Sequence, residues 1–266
     1  MLINSFVFAS ASTLWTPAAI TTALWLDAAD AGTVTAPGGV VEQWSDKSGN
    51  GRNATQATST HRPLLTSNGL NSKNVITFDG SNDWLSLASS LLSNQTAFSW
   101  YLVGARANTN TQCFFMERVA SDAASIALLP VSTISILNRA GGPSAPGVIE
   151  QTESVSFPVN SAQLCASVQA ATSGTAYRNG NAAATNSTTK ASLTFRAMAI
   201  GGGQTLDASP AAVQQFLAGY IAEMVFALST LSSDNHQRTE GYLAHKWGLT
   251  ANLPADHPYK STAPTI

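Results

Sequence analysis

Apolar residues return at every second position along much of this chain, and turn-forming residues interrupt the pattern at short intervals. Phe98, Trp100 and Leu102 alternate with Ser99, Tyr101 and Val103. Ile134 and Ile136 alternate with Thr133 and Ser135, and Leu164, Ala166 and Val168 with Cys165, Ser167 and Gln169. Successive side chains of a strand point to opposite faces, so a period of two marks extended segments with one face toward a core. By the same rule Tyr220, Met224, Phe226 and Leu228 share one face of a strand over Ile221–Leu228, and Ile221, Glu223 and Val225 the other. Between the runs stand Pro37-Gly38-Gly39, Gly49-Asn50-Gly51, Asp79-Gly80, Gly141-Gly142-Pro143, Asn179-Gly180 and Gly201-Gly202-Gly203. Asn-Gly between extended segments selects a type I′ hairpin, because both central residues need positive φ. Strands punctuated this regularly predict an all-β sandwich or barrel.

One segment departs from the period. Ser232 or Ser233 caps a helix, Asp234 sits in its first turn, and Asp234 and Arg238 form an i,i+4 pair. Its apolar stripe is Tyr242, Leu243 and Trp247, so the C-terminal half packs on the sheets. Gly248 supplies the left-handed stop and Leu249 the following apolar contact. The tail Leu253–Lys260, stiffened by Pro254 and Pro258, is expected to run back over the sandwich.

The 266 residues contain no internal repeat and no long linker, which predicts one domain over 1-266. Within it, 1-20 forms an N-terminal strand or arm and 249-266 a C-terminal tail. The stretch Ala182–Lys190 reads as a polar loop. Only 11% of residues are charged while 44% are apolar, which argues against disorder and leaves a surface of hydroxyls and amides. Such a surface suits carbohydrate contact or dense packing against protein neighbours. A net charge of −2 with 13 scattered basic residues gives no footprint for nucleic acid. No apolar run approaches the ~20 residues of a spanning helix, so membrane insertion is not expected. The opening MLINSFVFASASTLW carries Ala9-Ser10-Ala11 but no basic region before it, and reads as a first strand rather than a signal peptide. Cys113 and Cys165 read as buried thiols inside strand-like runs.

Few residue patterns in the chain imply chemistry. Asp46-Lys47-Ser48-Gly49-Asn50-Gly51 imitates half of a calcium-binding loop, but the twelfth position is Ala57 and the flanks are extended. An Asx-type turn explains the same residues, and a tight turn explains Asp79 and Asp83 around Gly80. Glu150 and Glu153 face opposite sides of a strand, while Glu223 stands among apolar residues as a carboxylate bonded to a neighbouring element. His236 and His245 fall in the helix, His257 in the tail, and His61 before an Arg-Pro turn. No serine-hydrolase elbow, zinc motif or phosphate loop is present. The expectation is no catalytic residue, no metal ligand, no cofactor and no enzyme; ligand-binding residues stay unassigned. Trp25, Trp44, Trp84, Trp100 and Trp247 are expected in the core, with Trp15 less constrained.

Two blocks of wording go beyond what a generic β-protein needs. Near the N-terminus stand Leu24-Trp25-Leu26-Asp27-Ala28-Ala29-Asp30, then Trp44-Ser45-Asp46-Lys47-Ser48-Gly49-Asn50-Gly51, then Phe78-Asp79-Gly80-Ser81-Asn82-Asp83-Trp84-Leu85. Near the C-terminus stand Gly241-Tyr242-Leu243-Ala244, Lys246-Trp247-Gly248-Leu249, and Leu253-Pro254 followed by His257-Pro258-Tyr259-Lys260. Together they resemble the two ends of laminin-G-like (concanavalin A-like) jelly-roll domains, which recur in bacteriophage virion proteins and bacterial surface proteins. The resemblance implies a two-sheet antiparallel jelly-roll sandwich with one short C-terminal helix. It also implies a non-enzymatic virion surface protein, decorating a capsid or belonging to a tail or fibre, in contact with other virion proteins or copies of itself. The alternative is a carbohydrate-binding adhesin or lectin module for host surface glycans, on a bacterial surface or extracellular. Some members of the broad fold bind calcium at loop carboxylates, but those ligands have no residue-by-residue match here.

Overall fold

The computed structural model describes residues 12–119, 125–130, 134–139, 150–152, 157–187, 189, 192–204 and 213–266. Its strands, in chain order, are β1 (Leu24–Asp27), β2 (Val34–Thr35), β3 (Gln43–Trp44), β4 (Ala54–Thr55), β5 (Leu64–Leu70), β6 (Lys73–Asp79), β7 (Leu85–Ser86), β8 (Phe98–Arg106), β9 (Phe115–Arg118) and β10 (Ser125–Pro130). They continue as β11 (Ile134–Arg139), β12 (Glu150–Thr152), β13 (Gln163–Ala170), β14 (Ser173–Arg178), β15 (Asn181–Asn186), β16 (Ala199–Ile200), β17 (Gly203–Gln204), β18 (Val213–Gln214) and β19 (Ala218–Ala227), followed by helix α1 (Ser233–Trp247). Two antiparallel sheets dominate. The first runs β15-β14-β13-β8-β19-β6-β5, with β1 also paired to β19; the second runs β12-β11-β10-β9-β16-β7-β4-β3-β2. The expected β-sandwich with a single α-helix is what the described residues form.

Between the sheets lies a core of Leu24, Trp44, Phe78, Trp100, Phe115, Ile200 and Phe226. Its aromatic rings meet edge to face, Trp100 against Phe115 at 5.1 Å and Phe115 against Phe226 at 5.3 Å. A second apolar layer lies on the other face of the first sheet, where Tyr101, Val103, Leu164 and Val225 meet Leu243, Trp247 and Leu253 of the helix and tail. Strand β8 is therefore buried on both faces along its whole length. That is why alternation in FSWYLVGAR is between two apolar sets rather than between apolar and polar.

The helix follows its sequence signals. Ser232 caps it by accepting from the Asn235 amide at 3.3 Å, Arg238 reaches Asp234 at 2.8 Å, and Gly248 ends it at φ 72. Leu249 and Leu253 then enter the second core layer. Asn179 (φ 50) and Gly180 (φ 79) join β14 to β15 with Arg178 opposite Asn181, the two-residue hairpin that Asn-Gly predicts.

Four expectations are corrected. Ala182–Lys190 is not all loop, because Asn181–Asn186 pairs with β14 as an edge strand. In β19 a bulge between Ile221 and Glu223 shifts the register against β8. The extra residue, Ala222, flips the faces, so Ile221 joins Met224 and Phe226 between the sheets, while Tyr220 packs with Val225 beneath the helix. Trp84 is half-buried and belongs to none of the core clusters, whereas Trp15 is only 4% exposed. Cys113 lies outside any strand; both it and Cys165 are buried and not disulfide-linked. Of the expected first strand, residues 1–11 lie outside the described residues; beyond them, Leu14 bridges Thr265. Thr133, Gly141-Gly142-Pro143, Glu153 and Lys190 also lie outside them.

Candidate functional site

The loop carboxylates hold the fold together. Asp46 spends both carboxylate oxygens on nearby groups: Oδ1 accepts from the amides of Trp25 (3.0 Å) and Ser48 (2.9 Å), and Oδ2 from the Ser48 hydroxyl (2.8 Å) and the Arg52 amide (3.1 Å). Asn50 Nδ2 donates to the carbonyls of Thr22 and Ala23, tying the turn to the approach of β1. Asp79 Oδ1 likewise collects the amides of Ser81, Asn82 and Asp83. Burial works to raise the Asp79 carboxyl, yet these amides hold it below its usual value, and burial beside Asp79 lifts Asp83 to about 6. Both turns are Asx-type. Among the described residues no group of three His, Cys, Asp or Glu side chains is placed to hold a metal ion.

The two blocks of resemblance converge on one buried ionic network. Glu223, wholly buried on β19, accepts from Trp25 Nε1 (2.7 Å), Trp247 Nε1 (2.7 Å) and the Tyr242 hydroxyl (2.9 Å). Lys246 Nζ sits 2.7 Å from Glu223 and 2.6 Å from Asp27. Lys47 joins Asp27 to Asp30, at 2.8 Å each. Burial pushes the Glu223 carboxyl up, and Lys246 beside it pulls the other way. Glu223 is thus bonded to neighbouring elements, as the sequence suggested, and lies beneath the helix with no exposed surface. A second buried set joins the helix to the tail: Tyr101 Oη lies 2.8 Å from His236 Nδ1, and Glu240 Oε2 lies 3.3 Å from the Nε2 atoms of both His236 and His257. His245 instead meets the Tyr259 carbonyl at 2.8 Å.

Among the described residues, two grooves that open to the surface bear on a site. One, of roughly 330 Å³, lies where the chain near Trp15 meets Tyr242, His245, Lys246 and Pro264, and is almost wholly apolar. The other, of roughly 250 Å³, lies on the outer face of the second sheet and is lined by Thr35, Glu42, Gln43, Thr55, Gln56 and Ala57. Its geometry follows from register. Thr35 stands opposite Gln43, Gln43 opposite Thr55, and Thr55 opposite Ser86. The inward residues of the same strands, Trp44, Ala54 and Leu85, are fully buried in the core. Four hydroxyl or amide side chains therefore line up across β2, β3, β4 and β7 on the outward face, spaced about 4.8 Å apart by the strand separation. The row continues through Ala199, Met116 and Ala127, which are buried.

The walls of the polar groove are fixed. Gln56, only 6% exposed, donates from Nε2 to the Trp84 carbonyl (3.0 Å) and accepts from the Thr58 amide (3.0 Å). Arg62 bonds the carbonyls of Gln56 (2.8 Å) and Ala57 (3.2 Å) and pairs with Glu42 at 3.3 Å. Sequence reasoning found none of the row, because each strand is two residues long and its partners are set by long-range pairing. The one available signal was compositional, the excess of hydroxyls and amides over charges.

No family model matches the chain, and no curated protein matches it. Among solved structures, the Trypanosoma rangeli sialidase in complex with sialic acid aligns over 90% of this chain with a TM-score of 0.58 at 14% identity. This chain spans 36% of that one, little more than a third. The same sialidase with 2,3-difluorosialic acid gives 0.51 over 90% of this chain and 37% of its own, at 14% identity. Domain 4 of a GH43 extracellular arabinanase from Geobacillus stearothermophilus, in complex with arabinotriose, gives 0.49 at 15% identity, over 80% of this chain and 94% of that one. At such identities the sialidase likeness speaks for the β-sandwich fold alone.

Proposed function

We propose that this protein is a non-enzymatic carbohydrate-binding module whose site is the polar groove on the second sheet. The observation that carries the reading is the register-aligned row Thr35, Gln43 and Thr55 in the groove lining, extended beyond it by Ser86 on β7, a set of neutral donors and acceptors held on strands. An antiparallel sheet face turned to water is polar in any case. This one adds a concavity, a rigid wall at Gln56, and donors at a spacing close to the length of a pyranose ring. Half-buried Trp84, whose carbonyl accepts from the Gln56 wall, supplies an aromatic surface outside the core. The groove's lining contains a single carboxylate, Glu42, and carboxylate-based glycoside hydrolysis calls for two flanking the bond. Binding without cleavage is the fitting chemistry.

The strength expected is modest. Four neutral hydrogen bonds at a net of about 1 kcal/mol each give about 4 kcal/mol, or a Kd of about 1 mM. Several copies on one surface would raise that by avidity. Titration calorimetry and glycan arrays with displayed, multivalent protein test the reading. Binding that weakens severalfold in Gln43→Ala and Thr55→Val, with unchanged melting curves, supports it. Failure to retain any polysaccharide on a multivalent surface sinks it.

The virion-surface role implied by the sequence resemblance is the second reading. It draws on the apolar groove and the exposed side chains of Leu14 (62%) and Ile266 (77%), a surface of the kind protein neighbours cover. Mass spectrometry of purified particles tests it, and absence of the chain from intact particles would exclude it.

A further inference from the structure

Resting on the carbohydrate-binding reading, we propose that the groove selects uncharged sugars and that Glu42 enforces the choice. Of the six lining residues only Glu42 is ionisable, and its side chain is 49% exposed. An ionised carboxylate is acceptor-only: it takes hydroxyl donors from a neutral sugar in charge-assisted bonds and repels a carboxylated one. The nearby cation does not reverse this. Arg62 is absent from the lining, its side chain is 13% exposed, and all three of its nitrogens are engaged. Nε donates to the Gln56 carbonyl, Nη2 to the Ala57 carbonyl, and Nη1 meets Glu42 Oε2. A guanidinium recognises a sugar carboxylate with a free two-pronged edge, and here the Nε–Nη2 edge is held by the Gln56 and Ala57 carbonyls while Nη1 faces Glu42. The ligand meets an anion in front and a cation set back behind it. The remaining lining side chains, Thr35, Gln43, Thr55, Gln56 and Ala57, are neutral.

Like charges about 6 Å apart at effective dielectric constants of 20–80 differ in occupancy by roughly three- to a hundredfold. The partial cancellation by Arg62 places the expected discrimination at the low end, about three- to tenfold. It should fade in high salt, because the site is open to solvent.

The test uses oligosaccharide pairs matched in all but charge: oligogalacturonate and its methyl ester, sialyllactose and its methyl ester, and hyaluronan hexasaccharide with and without reduced carboxyls. Each is titrated into the full chain and into Glu42→Gln at low and high salt, with melting curves to verify folding. The neutral member of each bound pair is expected to bind about three- to tenfold tighter at low salt. In Glu42→Gln, where Arg62 is the remaining charge, the preference should vanish or invert. Equal or tighter binding of the acidic member by the unmodified protein overturns the selectivity while leaving carbohydrate binding standing. An unchanged ratio in Glu42→Gln removes Glu42 from the role. If no member of any pair binds either protein, the carbohydrate reading falls and this inference with it.

Discussion

Lys246→Met offers the sharpest probe of the ionic network beneath the helix. Lys246 bridges wholly buried Glu223 and Asp27, and its own side chain is 15% exposed. Removing one partner of a buried ion pair costs about 3–5 kcal/mol, because the surviving charge is left uncompensated. Asp27 keeps Lys47, and Glu223 keeps three neutral donors from Trp25, Trp247 and Tyr242. The low end, about 3 kcal/mol, is therefore expected. In a chain of this size that lowers Tm by roughly 6–12 °C. Glu223→Gln should cost a similar amount, since its amide nitrogen would face an indole N–H or the lysine. In the double variant the two penalties overlap, and a coupling energy of at least about 2 kcal/mol is expected from a double-mutant cycle in urea. A pH arm adds a sign. Burial already raises the Glu223 carboxyl and Lys246 opposes that rise. Without Lys246 the folded pKa climbs further above its unfolded value, so the folded state holds the proton better. The Lys246→Met variant should then recover stability, relative to the parent, as pH falls through that raised value. Additive single effects, or a Lys246→Met loss within about 0.5 kcal/mol, would refute the network as a coupled unit.

Asp46→Ala removes an acceptor for three amides and a hydroxyl, and a fall of about 2–3 kcal/mol in stability is expected from charge-assisted bonds alone. A chelator should leave the melting curve of the parent unchanged, whereas a drop of several degrees would show a bound calcium at this loop. Burial, with His257 adding to it and Glu240 opposing, lowers the pKa of His236. The unfolded chain then takes up the proton first, so stability should decline as pH falls below about 6.5 and through the lower folded value. Denaturant titrations across that range should show the slope in the parent and a weaker one in His236→Gln; equal slopes would count against the assignment.

The layers of the fold were legible because alternation and turn chemistry act locally. Asn179-Gly180 and the Ser232–Gly248 helix carry their own instructions in one or two side chains. The bulge at Ala222 carried none: alternation continues through it on paper, and only pairing with β8 and the helix covering the other face impose the extra residue. Trp84 misled for a related reason, since a tryptophan beside buried Leu85 reads as core although its neighbour alone turns inward. Glu223 was visible as an isolated carboxylate, but its partners lie far from it in sequence, at Trp25 and Asp27 through Lys246. The polar row was the least legible part. Thr35, Gln43, Thr55 and Ser86 have no shared motif, and only the assembled sheet makes them neighbours.

The position of β19 has a consequence for synthesis. It is the last strand of its sheet to be made, yet it pairs with β1, β6 and β8 at once. Those strands emerge from the ribosome well before their shared partner. At ordinary elongation rates the interval between Arg106 and Ala227 is on the order of ten seconds. Throughout that time Phe98–Arg106, destined for burial on both faces, has neither β19 on its flank nor the helix above it. A nascent chain in this condition offers a two-sided apolar segment to any holdase chaperone near the exit tunnel. Final assembly of the first sheet must therefore wait until translation has passed the tenth residue of β19.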